Sequence, residues 1–177
     1  AQAIAALAYG TESVRRVDAI VGPGNRFVAA AKSLVARDVA IDGVAGPSEV
    51  GVFADATAEP ALIAADLLAQ AEHDPLAAAV LVTTETKLAK RVRTEHERQL
   101  EGLSTAATAQ ASLASFGAAL IVDSIDQGAD LVDRLAPEHL QLVGAEVEAL
   151  AARSWKAGAI FVGGSTPEVF GDYLAGP

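Results

Sequence analysis

Three polar side chains near the end of an apolar stretch are the first candidates for chemistry in this sequence. The segment from Asp66 to Pro75 reads DLLAQAEHDP, and it places Gln70, Glu72 and His73 after a run of leucines and alanines. Residues three apart lie on one face of a helix, so Gln70 and His73 converge while Glu72 points elsewhere. An imidazole together with one more ligand can begin a zinc site, which needs about four ligands in total.

A simpler structural explanation of Gln70 and His73 stays open. Glutamine is an unusual zinc ligand, and an imidazole at the end of a helix interacts favourably with the negative end of the helix dipole. The two residues are therefore either half of a metal site or the ordinary polar end of a helix. Their spacing alone does not decide between the two.

A second glutamate–histidine pair lies in the segment APEHL, where Pro137 precedes Glu138 and His139. Adjacent residues of an extended segment point to opposite sides, so these side chains do not touch but can both flank a substrate. Histidine is the usual general base near neutral pH, and a partly buried glutamate can activate water. The alternative is a loop whose polar side chains lie in solvent. The remaining histidine, His96, sits among charges on an amphipathic helix and is assigned to a solvated surface.

The glycine turn GPGN, from Gly22 to Asn25, follows an apolar run and precedes a helical one. It is neither a GxGxxG fingerprint nor a P-loop, because the required spacing and lysine are absent. Turn geometry explains it, and the Asn25 side chain can cap the following helix. Alternatively, a glycine turn at a helix N-terminus makes a modest phosphate or dinucleotide site. Asp172, in VFGDYLAGP, is a single carboxylate that indicates nothing alone.

The composition excludes several classes of protein. The 177 residues are 51% hydrophobic but only 5% aromatic, so Ala, Val, Leu and Ile must form the core, as is typical of parallel sheets and their covering helices. A net charge of −10 makes nucleic acid an unlikely partner, because an acidic surface repels phosphates. The absence of cysteine excludes disulfides and thiolate metal sites and fits a cytoplasmic protein. No apolar run reaches the roughly 18 residues of a membrane span.

The elements that must position these residues alternate between strands and helices. This alternation predicts an α/β fold with a parallel sheet and helices on both faces, forming incomplete Rossmann-like domains. Strands are expected at 17–21, 39–41, 50–54, 79–83, 118–122, 140–143 and 159–162, and helices at 1–9, 26–37, 57–73, 84–103, 106–116, 125–135 and 147–154.

Glycines and a proline fall together near residues 42–49 and indicate a domain boundary. Residues 1–42 are therefore expected to end one Rossmann-like nucleotide-binding domain, and residues 43–177 to form most of a second. Ligands of open parallel sheets bind beyond the carboxyl ends of the strands. This rule favours the GPGN turn and the GGST segment that follows the last strand, whereas Gln70 and His73 end a helix at the opposite side.

Five segments, in this order, carry a resemblance to a known family: VDAIVGPGNRFVAAAK (17–32), AGPSEV (45–50), DLLAQAEHDP (66–75), LAPEHLQL (135–142) and STPEVFGDYLAGP (165–177). Together they resemble the histidinol dehydrogenase family over nearly the whole chain. Each motif is weak alone, but five at suitable separations are specific.

The resemblance implies a zinc-dependent, NAD-linked enzyme. In that family L-histidinol is oxidised to L-histidine through the aldehyde, by two hydride transfers, at the end of histidine biosynthesis. The resemblance implies that Gln70, His73 and Asp172 bind zinc and also contact the substrate. It implies that Glu138 activates water and that His139 takes the hydroxyl proton and contacts the substrate.

Three further contacts and a partner subunit are implied in the same way. Ser48 resembles a substrate contact, and Gln2 and Asn25 resemble NAD contacts. In the family the chain continues beyond GDY, and a later histidine from the partner subunit of a homodimer completes the zinc shell. By this resemblance the sequence is a fragment from the central part of such a chain, with the residues of the second Rossmann-like domain carrying the zinc and substrate site.

Two other functions remain open. One is a related zinc and NAD alcohol dehydrogenase that acts on another small polar alcohol, such as a sulfonated diol. The other is a non-catalytic Rossmann-like domain that binds a nucleotide or a partner. Against the second, the polar positions of all five motifs are present together, and a domain without catalysis has no physical reason to keep an exposed Glu-His pair.

The isolated 177-residue chain is expected to bind zinc weakly or not at all and to show no turnover, because it supplies only part of the ligand set that the family uses. Mixing the chain with zinc, L-histidinol and NAD and following the absorbance of NADH tests this expectation. Clear turnover by the isolated chain would contradict it.

Overall fold

The computed structural model describes residues 1–22, 24–43 and 48–167. The chain divides into two compact units, Ala1–Gly46 and Pro47–Pro177, called here the first and the second unit. The boundary expected from the sequence, between residues 42 and 43, lies slightly earlier than this division. Among the described residues, no helix is long and apolar enough to cross a membrane.

The first unit is built on a short parallel pair of strands with a helix between them in sequence. Its helices are α1 (Gln2–Tyr9) and α2 (Arg26–Val35), and its strands are β1 (Ala19–Ile20) and β2 (Ala40–Ile41). Asn25 caps α2, as the sequence predicts, because its side-chain oxygen accepts from the main-chain amides of the first turn. The small core of the unit consists of Ile4, Ala8, Ile20, Val35 and Val39.

The second unit contains a five-stranded, fully parallel sheet with the strand order β5-β4-β3-β6-β7. The strands are β3 (Glu49–Ala54), β4 (Ala78–Thr83), β5 (Gly117–Ile121), β6 (His139–Val143) and β7 (Ala159–Val162). The helices are α3 (Pro60–Ala71), α4 (Thr86–Leu100), α5 (Ala106–Phe116), α6 (Ile125–Leu135) and α7 (Ala145–Glu148).

Helices cover both faces of this sheet. On one face Val52 belongs to a core with residues of α3 and α4, and on the other face Phe53 belongs to a core with residues of α6 and α7. Successive strand side chains point to opposite faces, so one apolar strand serves both cores. Each fully buried aliphatic side chain contributes roughly 1.5–3 kcal/mol. The predicted α/β fold, with a parallel sheet and helices on both faces, is confirmed.

Element boundaries differ from the predictions where the chain enters and leaves helices. The helix expected over 57–73 runs only from Pro60 to Ala71, because proline takes the first helical position, where no amide hydrogen is needed. His73 therefore lies in a turn beyond the helix. The helix expected over 147–154 is a single turn, Ala145–Glu148.

The carboxylate of Asp55 closes the carboxyl edge of the sheet, where the strands end, between β3 and β6. Asp55 follows β3 and is only 3% exposed. Its Oδ1 accepts from the main-chain amide and hydroxyl of Thr57, at 2.8 and 2.6 Å. Its Oδ2 accepts from the amides of Glu146 and Val147 in α7, at 2.7 and 3.2 Å. Gly144 is required beside it, since φ is +103° and an added Cβ would lie 2.2 Å from Oδ1.

This position is where the sheet changes direction. The chain runs outward from β3 to β4 and β5, then returns to place β6 on the other side of β3. Crevices at such switch points are the usual ligand sites of open parallel sheets. Here the Asp55 carboxylate takes the amides that an external anion would otherwise bind.

Asp55 makes the stability of the fold depend on pH. Burial alone would raise its pKa, but the hydrogen bonds from Thr57, Val147 and Glu146 outweigh burial and hold the pKa of Asp55 below its usual value. The folded-state pKa is thus below the unfolded value of about 3.9. The stabilisation is therefore present above that unfolded value and is lost as pH falls through the folded-state pKa.

We expect Asp55→Asn to lower the free energy of unfolding at pH 7 by about 2–4 kcal/mol, because buried donors lose a charged acceptor. Urea denaturation of this chain, followed by circular dichroism, measures the loss. The difference between wild type and variant should shrink below about pH 4. Asp130→Asn, which removes a 75% exposed carboxylate, is the control and should cost less than about 1 kcal/mol. Equal losses in both variants, or a pH-independent difference, would contradict this account.

Candidate functional site

The structure gathers five of the predicted site residues at the amino edge of the five-stranded sheet, where its strands begin. Ser48 immediately precedes β3, and its carbonyl accepts from the amide of Ala78 at the start of β4, at 3.2 Å. His139 is the first residue of β6, with Glu138 just before it. Helix α3 starts after the carboxyl end of β3 and runs back across the sheet, so its last turn carries Gln70 to this same edge; His73 follows in the turn that leads into β4.

Gln70 and His73 differ in their surroundings. Gln70 is 2% exposed on an otherwise apolar part of α3, whereas the His73 side chain is exposed. The His73 amide donates to the Gln70 carbonyl at 3.3 Å, so the chain makes one more helical turn beyond α3. Within the described ranges, neither the Gln70 carboxamide nor the His73 imidazole makes a side-chain hydrogen bond. Within this part of the chain, both groups are therefore available as ligands.

Glu72, between these two residues in sequence, is engaged elsewhere. Its carboxylate accepts a short hydrogen bond from the hydroxyl of Thr105, the residue before α5. The structure therefore agrees with the expectation that Glu72 points away from Gln70 and His73.

The loop that carries Glu138 is fixed by close main-chain packing. Ala136 ends α6 in the left-handed conformation, with φ of +46°. The next residue, Pro137, is buried so close to Gly51 of β3 that a Cβ there would lie 2.9 Å from the proline ring. On the other side, a Cβ on Gly158 would lie 2.8 Å from the Glu138 carbonyl oxygen. The Glu138 side chain is exposed, but its main chain cannot shift freely.

The sheet register fixes the direction of the His139 side chain. His139 pairs with Val50, whose side chain lies in the core under α3. Directly paired residues share a face, so the imidazole lies on the face that α3 covers. It is half-buried and packs edge-on against the ring of Phe161, with the ring centroids 5.8 Å apart. Glu138 precedes the strand, and its side chain is exposed.

One buried polar residue on this face, Gln141, was predicted only as part of a strand. Gln141 is 1% exposed and lies two residues after His139 on the same face. Its Nε2 donates a long hydrogen bond of 3.4 Å to the carbonyl of Thr166, and its buried Oε1 has no partner among the described residues. A glutamine inside the apolar run LQLV was the available signal.

His96 was predicted to be solvated, but it is half-buried. Its Nε2 is buried and has no hydrogen-bond partner in the part of the chain that the structure describes, and burial lowers the pKa of His96. It lies on α4 against a cleft of about 490 Å³ that is lined mainly by small apolar side chains. The error arose because the neighbours of His96 in sequence are charged, while its own position faces the sheet.

The described residues include two of the three predicted zinc ligands. Within residues 1–22, 24–43 and 48–167, no group of three or more His, Cys, Asp and Glu side chains could hold a metal ion. Gln70 and His73 provide two neutral donors on one turn, and the third predicted ligand, Asp172, lies outside the described residues. Zinc takes about four ligands. The two donors are therefore compatible with zinc, and they do not complete its coordination.

The two predicted NAD contacts belong to the first unit. Gln2 is the first residue of α1 and is exposed. Asn25 is also exposed, and its Oδ1 accepts from the amides of Phe27 and Val28, at 3.1 and 3.2 Å. Among the described residues its Nδ2 makes no hydrogen bond, so it can donate to a ligand. Both assignments stay predictions.

Comparisons with known proteins agree on one family. A family model described as histidinol dehydrogenase matches residues 1–177. The histidinol dehydrogenases of Geobacillus kaustophilus and a Synechococcus species are 55% and 52% identical over all 177 residues, which correspond to 42% and 41% of their own lengths. The chain thus spans about two fifths of the length of these curated relatives.

Solved structures give the same result. The crystal structure of histidinol dehydrogenase from Elizabethkingia anophelis matches with a TM-score of 0.91 and 40% identity, over 99% of this chain and 40% of that one. An acetylating aldehyde dehydrogenase from Geobacillus thermoglucosidasius matches with a TM-score of 0.59 and 13% identity, which indicates a shared fold alone. The resemblance noted from the five motifs is confirmed: this chain belongs to the histidinol dehydrogenase family.

Proposed function

We propose that the protein containing this chain is an NAD-dependent histidinol dehydrogenase, which oxidises L-histidinol through the aldehyde to L-histidine in the last step of histidine biosynthesis. The observation that carries the proposal is the gathering of Ser48, Gln70, His73, Glu138 and His139 at one edge of one sheet, in a chain that belongs to this family. We further propose a cytoplasmic homodimer in which the partner subunit completes the zinc shell.

Gln70, His73 and Asp172 are the residues proposed to hold zinc. When bound, the zinc would anchor the amine and imidazole of the substrate, and two NAD molecules in succession would each accept one hydride. Gln70 suits an anchoring role because α3 buries it and fixes its direction. Ser48, half-buried before β3, is proposed to contact the same substrate.

His139 is proposed as the base of the first oxidation. An imidazole removes the alcohol proton as hydride leaves the carbinol carbon, and this yields the aldehyde. The edge-on packing of Phe161 against the ring restricts its rotation and so holds its nitrogens in a constant direction. Placement on the α3 face turns His139 towards the side of the sheet on which Gln70 lies.

Glu138 is proposed as the base of the second stage. Its carboxylate takes a proton from water as the water oxygen adds to the aldehyde carbon, and the hydrate then loses the second hydride to become the acid. The packing of Gly158 and Pro137 fixes the main chain of Glu138, while its exposed side chain can reach water. The cofactor for both stages is proposed to contact Gln2 and Asn25.

We expect His73→Ala and Asp172→Ala in the full-length protein to weaken zinc binding at least about tenfold, because each removes one of about four ligands. Zinc content after dialysis, measured by plasma mass spectrometry, reports the loss. Glu72→Gln is the matched control, since it changes a nearby carboxylate that is engaged by Thr105. Equal zinc retention in His73→Ala and Glu72→Gln would contradict the assignment.

We expect Glu138→Gln and His139→Asn to slow different steps in the full-length enzyme. His139→Asn should reduce alcohol oxidation by roughly 10²–10⁴-fold, the usual contribution of a general base. Glu138→Gln should reduce oxidation of the aldehyde by a similar factor and impair the first hydride transfer less. Single-turnover measurements of NADH, started from the alcohol or from the aldehyde, separate the two steps.

Control variants for this pair come from α4, with Glu97→Gln for the carboxylate and His96→Asn for the imidazole. Glu97 is exposed and pairs only with Arg93 among the described residues. Unchanged activity in Glu138→Gln and His139→Asn would instead support a non-catalytic domain. The proposed substrate would be contradicted if Glu138→Gln and His139→Asn lowered activity only towards other polar alcohols, such as a sulfonated diol.

A further inference from the structure

Lys32 and Asp42 form an ion pair that binds Gly22, the first residue of the GPGN turn in the first unit. Lys32, on α2, is 3% exposed, and its ammonium donates to the carbonyl of Gly22 and to Oδ1 of Asp42, both at 2.5 Å. The other oxygen of Asp42 accepts from the amide of Gly22 at 2.7 Å. Both main-chain polar groups of Gly22 are thus bound by one ion pair.

The Lys32–Asp42 ion pair lies where the two strands of the first unit end. Gly22 follows shortly after β1, Asp42 follows β2 directly, and Lys32 comes from the helix between them. The carboxyl end of such a strand–helix–strand unit is the usual position of a bound nucleotide. Gly22 also begins the GPGN turn, whose Asn25 is the proposed NAD contact.

The turn requires both of its glycines. Gly22 has φ of +127°, a conformation that residues with a Cβ rarely adopt. Gly24 is needed for another reason, since an added Cβ would lie 2.4 Å from the Val28 side chain of α2. Gly22 has no side chain that favours this conformation, and the bonds from Lys32 and Asp42 stabilise it.

Asp42 occupies the position of a ribose-binding carboxylate but is used internally. Dinucleotide folds place an acidic residue about 20 residues after the glycine turn, where it binds a ribose hydroxyl. Asp42 lies 20 residues after Gly22. Its Oδ1 accepts from Lys32 and from the amide of Gly43, at 2.9 Å, and its Oδ2 is taken by Gly22. The hydrogen bond from Lys32, followed by that from Gly22, lowers the pKa of Asp42 to about 2.

We propose that Lys32 and Asp42 are positioning residues of the dinucleotide site, which hold Gly22 in the conformation that admits the cofactor. Asp42 then does not bind the ribose hydroxyl. The inference rests on the proposed function, because it takes the GPGN turn to be part of the NAD site. It goes beyond that function by assigning two residues that act through the main chain of the turn.

Lys32 and Asp42 differ in what their removal leaves behind. Without Asp42, a buried ammonium keeps only a carbonyl partner, which is a strongly unfavourable state for a charge. Without the Lys32 ammonium, Asp42 can still accept from the Gly22 amide, but the Gly22 carbonyl loses its donor. Both changes release the turn, and neither touches Asn25.

The experiment uses the full-length enzyme with Lys32→Met, Lys32→Arg and Asp42→Asn. The control variants are Lys87→Met, which removes an exposed ammonium of α4, and Asp38→Asn, which removes an exposed carboxylate of the first unit. The Kd and KM for NAD should rise about tenfold or more in Lys32→Met and Asp42→Asn, because small misplacements of a binding group are costly. The KM for L-histidinol should not change, and Lys32→Arg should recover part of the loss.

The ratio of KM for NADP to KM for NAD distinguishes positioning from ribose recognition. A positioning role leaves this ratio unchanged in Asp42→Asn, whereas loss of a ribose contact lowers it. A lowered ratio would overturn the proposal, as would a fall in Tm without any change in the Kd for NAD. NAD binding is also measured directly, by calorimetry, so the proposal is tested even if the wild-type enzyme does not oxidise L-histidinol.

Discussion

The burial of one carboxylate, that of Asp55, determines which edge of the larger sheet remains for chemistry. A parallel sheet in which the strand order reverses has a crevice at the carboxyl ends of its two central strands. In this chain Asp55 fills that crevice and satisfies the amides at the start of α7. Those amides would otherwise attract a phosphate. In the second unit, the Asp55 side chain therefore occupies the position that a bound ligand occupies in a nucleotide-binding sheet.

Asp55 closes the carboxyl edge of the sheet, and the residues that could take part in chemistry lie at the opposite, amino edge. Helix α3 runs antiparallel to the strands and ends there, and β6 begins there, so Gln70 and His139 reach the same edge from different parts of the chain. Within the second unit this arrangement differs from the general rule for open sheets, which favoured the GGST segment there. The rule describes where loops and helix N-termini usually collect, and it does not apply where a buried carboxylate occupies that space.

Periodicity predicted the strands and most helices of this chain because apolar runs of four or five residues and longer amphipathic runs leave few alternatives. The five motifs identified the family and the residues at the amino edge. Periodicity did not reveal Asp55, which is one carboxylate in the polar loop DATAEP, or the burial of Lys32 in a helix with exposed neighbours. The partner of Asp55, Glu146, is 91 residues away, so no local window contains that signal. Lys32 and Asp42 are only 10 residues apart, but they lie on different elements and their pairing has no periodicity.

Asp55 and Asp42 show two uses of the same residue type directly after a strand. Asp55 is buried, pairs with no cation among the described residues, and is satisfied by main-chain amides and one hydroxyl, so its effect is to close a crevice. Asp42 is partly exposed and bonded to a buried lysine, so its charge is balanced and its second oxygen holds a glycine amide. A buried ammonium without its carboxylate is far costlier than an amide without its acceptor. Removing one partner of the Lys32–Asp42 pair therefore costs more than removing one neutral hydrogen bond to Gly22.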